Sequence, residues 1–286
     1  MSTITSFVLS PVEFIKMALA EDSGDGDHTS ISTINERSTG IARVKVKEDG
    51  IISGLEVAKL VLDCVDSSLK IHMNTSEGAK VSSGEVVMIV EGNVRSMLRA
   101  ERLLLNCMQR MSGIATLTGK FVEAVENTNA KILDTRKTTP NFRHFEKLAV
   151  RAGGGLNHRF GLYDMILIKN NHVDASGGII NALVKASDYL KQNGKNLIIE
   201  IETRNLQEVD DVLKTGIAKR IMLDNFDPLT LKKAIEVIGN KFETEASGGI
   251  TLSNVREYAI SGVDFISVGA LTHSYKSMDL NMKIEK

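Results

Sequence analysis

The residues that could do chemistry in this 286-residue chain lie in short polar stretches, each at the end of an apolar run. Asp134-Thr135-Arg136-Lys137 follows Lys131–Leu133, and Lys169-Asn170-Asn171-His172 follows Met165–Ile168. The run Leu197–Ile201 carries Glu200 and is followed by Glu202, and Arg220–Leu223 is followed by Asp224-Asn225. Ser247-Gly248-Gly249 comes after Phe242–Glu245, and Gly269-Ala270 after Asp264–Val268. One half of this set is cationic: Arg136, Lys137, Arg159 and Lys169, with His158 beside Arg159. A guanidinium pairs bidentately with carboxylates and phosphates. Cations that converge in one pocket need anions to balance them, which points to a polyanionic substrate. The other half is acidic and glycine-rich. Glu202 and Asp224 are suited to ribose hydroxyls or a hydrated magnesium ion. Glu200 shares a strand face with Glu202, and whether Glu200 or Glu202 meets a ligand is left open. The loops at Ser247–Gly249 and Gly269-Ala270 offer backbone N–H groups to a phosphate.

The elements that must position these groups are repeated βα units. Helical patterns at Phe145–Arg151, Ile179–Gln192, Leu206–Leu213, Leu229–Ile238 and Val255–Ile260 separate the six strand-like runs. In parallel α/β folds, ligands bind at the carboxyl ends of the strands, where the polar stretches fall. Six units are fewer than an eight-stranded barrel needs, so periodicity alone leaves a shortened barrel and a doubly wound sheet both open. The first third has another rhythm. It shows helices at Val12–Ala20 and Leu55–Cys64, strands at Ala42–Lys47, Leu69–Asn74 and Glu85–Val90, and a long helix through Met97, Leu104, Met108 and Met111.

A net charge of −1 gives no global field for nucleic acid or an anionic membrane. Cys64 and Cys107 sit among apolar neighbours and read as buried free thiols. No apolar stretch is long enough to span a bilayer, and the N-terminus shows no signal-peptide pattern, so the cytoplasm is the expected compartment. Arg151-Ala152-Gly153-Gly154-Gly155-Leu156-Asn157-His158-Arg159 matches neither the dinucleotide fingerprint nor a Walker loop.

Taken together, these segments resemble the quinolinate phosphoribosyltransferase family. The resemblance runs in order through Glu21-Asp22, Gly26–Ser30, Glu101–Asn106, Gln109–Thr116, Ile132–Pro140, Gly153–Arg159, Gly161–Asp164, Met222–Asn225, Glu245–Ile250 and Gly269–Ser274. It implies an α/β fold with an N-terminal α/β sandwich domain at 1–112, joined by a tail at 275–286, and a C-terminal α/β barrel of fewer than eight strands at 113–274. It also implies transfer of phosphoribosyl from phosphoribosyl pyrophosphate to quinolinate, with magnesium and release of carbon dioxide and pyrophosphate. A homodimer, or a higher oligomer built from dimers, is implied as well, in which Arg102 reaches the partner's site. The substrate-binding residues carried over are Arg102, Arg136, Lys137, His158, Arg159, Lys169, Glu202, Asp224, Ser247, Gly248 and Gly269. Gly249 and Ala270 adjoin them in the glycine loops. Lys137, Lys169, Glu202 and Asp224 are the catalytic candidates, and Glu202 and Asp224 the magnesium candidates. Asn170 stands where the family usually has an acidic residue, and His28 where it more often has an aliphatic one. Two other readings are a barrel lyase using Lys169 as a Schiff-base nucleophile, and a non-catalytic protein that kept the pocket.

Overall fold

The structure, a computed structural model, describes residues 9–285. In chain order its strands are β1 (Thr39–Val46), β2 (Gly50–Ile51), β3 (Lys70–Met73), β4 (Lys80–Val81), β5 (Val86–Asn93), β6 (Lys131–Leu133), β7 (Ile166–Ile168), β8 (Ile199–Thr203), β9 (Arg220–Asp224), β10 (Glu243–Ser247), β11 (Phe265–Ser267) and β12 (Leu280–Glu285). The chain forms two compact units. Of the described residues, one comprises 9–119, 138–154 and 275–285; the other comprises 120–137 and 155–274.

In the first unit an antiparallel sheet runs in the order β12-β1-β5-β3. Alternation in β1 buries Ala42, Val44 and Val46 on one face. The helix Leu55–Val65 buries Leu55, Val57, Ala58, Val61 and Leu62, and the helix Val94–Ala124 buries Met97, Leu104, Met108 and Met111. The methionine-and-leucine stripe is therefore core packing. The boundary at 112/113 drawn from the sequence falls inside this 31-residue helix, which continues through Gly113 and Gly119 to Ala124 without a proline. The segment 138–154 belongs to the first unit because Gly153 packs against the helix: a Cβ there would lie 2.4 Å from the Ala115 carbonyl oxygen. Glu146 further accepts the Thr139 N–H (3.1 Å) and faces Arg110 (3.5 Å). The tail 275–286 joins through β12, paired with β1 from Ile41↔Glu285 to Val46↔Leu280. Cys107 is buried, its thiol pushed up to about 12 by desolvation, whereas Cys64 is half-buried rather than buried; both are free.

The second unit is a six-stranded, wholly parallel sheet in the order β6-β11-β10-β9-β8-β7, the staves of an α/β barrel with fewer than eight strands. The fully buried pattern of β8 fits a strand covered on both faces. On the free edge of β6 the segment at Leu156 continues the pairing: Leu156 N–H donates to the Ile132 carbonyl (2.8 Å), and Asp134 N–H to the Leu156 carbonyl (3.1 Å). That pairing carries His158 and Arg159 to the rim. Among the described residues no helix is long and apolar enough to cross a membrane.

Candidate active site

The carboxyl ends of these strands open into a hollow of about 880 Å³. It gathers Arg136, Lys137, His158, Arg159, Lys169, Glu202, Asp224, Ser247, Gly248, Gly249, Gly269 and Ala270, all from the second unit. Arg102 does not line it. That residue is exposed on the helix Val94–Ala124 of the first unit, in a small hollow with Glu21, Asp22 and Asn106.

The cationic wall is held from behind. Asp134, fully buried at the end of β6, accepts the His158 N–H (2.8 Å) and the Asn157 side-chain amide (2.6 Å). Arg159 follows directly, and its Nη1 reaches the Met165 carbonyl (3.3 Å). Burial, and then the nearby charge of Arg136, hold the Arg159 guanidinium below its ordinary value. Two guanidiniums that disfavour each other's charge form a place for an anion.

Across the hollow, Lys169 Nζ lies 2.7 Å from Glu202 Oε1, while Glu202 Oε2 accepts the Asn170 N–H (3.1 Å). Asp224, at the end of the neighbouring strand β9, is pushed above the usual carboxylate range by burial and then by Glu202, with Lys169 acting in the opposite sense. The Asn170 amide also hydrogen-bonds Asp224, and its buried Oδ1 has no hydrogen-bond partner. Asp224 and Glu202 are thus the carboxylate oxygens that this side of the hollow offers, the kind of donor a hard cation takes.

The glycine loops are built for close approach. Gly248 has φ +96°, and a Cβ there would stand 2.1 Å from Asn225 Oδ1 and 3.0 Å from the Asn225 backbone nitrogen. Asn225 itself adopts φ 58° and donates its N–H to the Ser247 carbonyl (2.8 Å). Gly248→Ala is therefore expected to strain the β9 and β10 loops together. It should lower stability by about 1–3 kcal/mol and displace the Ser247–Gly249 amides. Thermal melting and separate substrate saturations check this; a variant with unchanged melting and unchanged saturation by both substrates contradicts it.

At the floor of the hollow, which His158 and Glu245 line, lies a cluster of which the sequence reading singled out His158 and Glu200. His158 Nε2 is 3.1 Å from Glu200 Oε2 and 3.6 Å from Glu245 Oε2. One ligand atom from each of these three residues lies within 4.8 Å of the others. A positive group is already present: Arg220 Nη1 is 3.0 Å from Glu245 Oε2, and its guanidinium lies 4.0 Å above the Phe265 ring. The cluster accordingly reads as an ionic network. Glu200 faces this network and Glu202 faces the hollow. Burial, and then the charge of Glu200, push the Glu245 carboxyl up to about 7; burial likewise raises Glu200. Below pH ~4.5 Glu245 keeps its proton whether folded or unfolded. Between there and ~7 the unfolded chain releases it and the folded chain does not, so stability falls as pH rises through that window. Glu245→Gln is expected to shrink this decline, read as urea midpoints against pH. Parallel midpoint curves for the two proteins would contradict it.

Sequence reasoning passed over His273, Thr135, Thr251 and Ser267, which also line the hollow. His273 was within reach: it lies one helical turn beyond Gly269, and a Cβ on Gly269 would be 3.0 Å from its ring.

Comparison with known proteins divides the chain near residue 113, where the sequence reading drew its boundary. The family described as quinolinate phosphoribosyl transferase, N-terminal domain, matches residues 27–112, and its C-terminal domain matches 114–283. A chloroplastic nicotinate-nucleotide pyrophosphorylase (carboxylating) of Arabidopsis thaliana is 46% identical over 286 residues, covering 95% of this chain and 82% of that protein. A mitochondrial quinolinate phosphoribosyltransferase (decarboxylating) of Nicotiana tabacum is 45% identical over 289 residues, covering 96% and 82%. The structure of the nicotinate-nucleotide pyrophosphorylase from Francisella tularensis superposes with a TM-score of 0.91 at 37% identity, covering 100% of both chains.

Proposed function

The chain belongs to the quinolinate phosphoribosyltransferase family, and from that premise we propose that it transfers phosphoribosyl from phosphoribosyl pyrophosphate to quinolinate, giving nicotinate mononucleotide, carbon dioxide and pyrophosphate for NAD synthesis. The observation that carries this reading is the convergence of Arg136, Arg159 and Lys169 in one hollow opposite a carboxylate pair and two glycine loops.

In this reading the two carboxylates of quinolinate dock against Arg136, Arg159, His158 and Lys169. Arg102 completes that contact from the partner subunit of a homodimer. The donor's ribose meets Glu202 and Asp224, and its 5′-phosphate meets the amides of Ser247–Gly249 and Gly269-Ala270. Glu202 and Asp224 would hold magnesium, which when bound offsets the charge of the donor's pyrophosphate. Asn170 is neutral where the family usually has an acidic residue, which leaves the site one negative charge short.

The bond from the anomeric carbon to pyrophosphate breaks as the pyridine nitrogen bonds to that carbon. The pyridinium nitrogen then draws the electron pair from the adjacent carboxylate bond, carbon dioxide leaves, and the ring carbanion takes a proton. Lys137 and Lys169 are placed to offset charge on the departing group. The protein's contribution is chiefly orientation and preorganised charge. The ion pair of Lys169 with Glu202 disfavours the Schiff-base reading, which needs an uncharged amine.

The test is to incubate the purified protein with quinolinate, phosphoribosyl pyrophosphate and magnesium. Pyrophosphate and nicotinate mononucleotide in equal amounts are expected; a folded protein that releases neither overturns the reading. Sedimentation tests the dimer, and fractionation of the native cells tests the cytoplasm, the compartment proposed with this function.

A further inference from the structure

The two nitrogens of the His158 ring have different surroundings. Nδ1 accepts the backbone N–H of Arg159 (2.7 Å), so that nitrogen carries a lone pair and the ring proton sits on Nε2. Nε2 in turn lies 3.1 Å from Glu200 Oε2, an ion-pair distance without the alignment of a hydrogen bond, and Glu200 is a carboxylate fully buried on β8. Glu200 does not line the hollow, and neither of its oxygens has a hydrogen-bond partner within the geometric criteria of a good bond. The ring therefore joins a buried carboxylate to the backbone of the residue that carries the guanidinium.

We propose that Glu200 is a positioning residue for the quinolinate site: acting through the Nε2–H tautomer of His158, it holds the backbone of Arg159 and so aims the Arg159 guanidinium into the hollow. This rests on the quinolinate reading above and adds to it a residue that touches no substrate. Asp134 fixes the other side of the same turn through the His158 N–H (2.8 Å). Rotation of the imidazole alone would release the Arg159 N–H. Arg220, ion-paired with Glu245, stands behind Glu200, and its charge favours the ionised form of Glu200.

The first measurement needs no variant. Nitrogen-15 spectra of histidine-labelled protein, with His158 assigned by comparison with His158→Asn, should show Nε2 protonated and Nδ1 not. A proton on Nδ1 overturns the proposal, whatever the protein's activity. The second compares Glu200→Ala with Glu200→Gln. The alanine variant should lose the single-tautomer signature and raise the KM for quinolinate by roughly tenfold to a hundredfold, with the KM for phosphoribosyl pyrophosphate unchanged. The glutamine variant keeps an acceptor oxygen and should restore both readouts. An alanine variant with the wild-type His158 signature and the wild-type quinolinate KM overturns it. If the alanine variant does not fold, a glutamine variant that loses the signature also overturns it. Wild-type protein without quinolinate turnover would remove the functional reading instead, and the tautomer measurement would still decide this one.

Discussion

Arg159→Ala is expected to raise the KM for quinolinate by about a hundredfold or more while leaving thermal stability close to that of the parent. The two halves of this expectation come from one environment. Arg159 is buried at the rim, and burial and then Arg136 work against its charge, while Glu200, Asp164 and Glu202 favour it. Without substrate these effects oppose each other, so the side chain contributes little net stability. A bound dicarboxylate changes the balance, because each of its charges then meets a guanidinium already desolvated and already in place. Truncating one partner of such a buried, hydrogen-bonded charge pair costs about 2–5 kcal/mol, or roughly 30-fold to several thousandfold in affinity. Saturation kinetics with quinolinate varied, beside thermal melting, separates binding from folding. A variant that melts far lower while binding quinolinate normally would make Arg159 a structural residue and empty the cationic wall of its meaning.

The parts of this site that were legible in the sequence share a physical cause. A parallel strand buried on both faces appears as an apolar run, and the residue that leaves its carboxyl end must be polar, because it meets the hollow. Asp134, Lys169, Asp224 and Ser247 could be placed in this way before any coordinates. The bounds of β6, Lys131–Leu133, were legible for the same reason. The network under the hollow was not, since His158, Glu200, Arg220 and Glu245 come from four separate stretches and only the pairing of the sheet brings them within reach. Glu245 was the last residue of the run Phe242–Glu245, where its charge has no local signature of a partner. The C-terminal strand Leu280–Glu285 had a signature, burying Leu280 and Met282 in alternation, but its partner β1 lies more than 200 residues earlier. The short pair β2 and β4 has only two residues in each strand, too few for a period to register. Arg102 is the opposite case. Its expected role came wholly from family resemblance, and its position on a helix of the first unit is one that no local pattern would have singled out.

Lys169→Ala is expected to lower turnover by about a hundredfold to a thousandfold and to move the acidic limb of the pH–rate profile upward. Lys169 is the one cation in direct contact with the acidic half of the hollow among the described ion pairs there, at 2.7 Å from Glu202. Removing it leaves Glu202 and Asp224 facing each other. Asp224 is already pushed above the ordinary carboxylate range by burial and by Glu202, and Lys169 is the charge that counters both. Its carboxyl therefore rises further in the variant. Because the ionised form is the one that can hold ribose hydroxyls or magnesium, activity is lost at a higher pH on the way down than in the parent. Lys169→Arg separates charge from shape: it should restore the position of the acidic limb, since a cation is again beside Glu202, but only part of the rate, since the bulkier guanidinium cannot place one compact charge where Nζ lies. The kcat/KM–pH profiles of the three proteins distinguish these effects. Identical acidic limbs in all three would mean that Lys169 does not govern the ionisation of Asp224, and that the short contact with Glu202 is a tether for the loop after β7 rather than part of the catalytic charge balance.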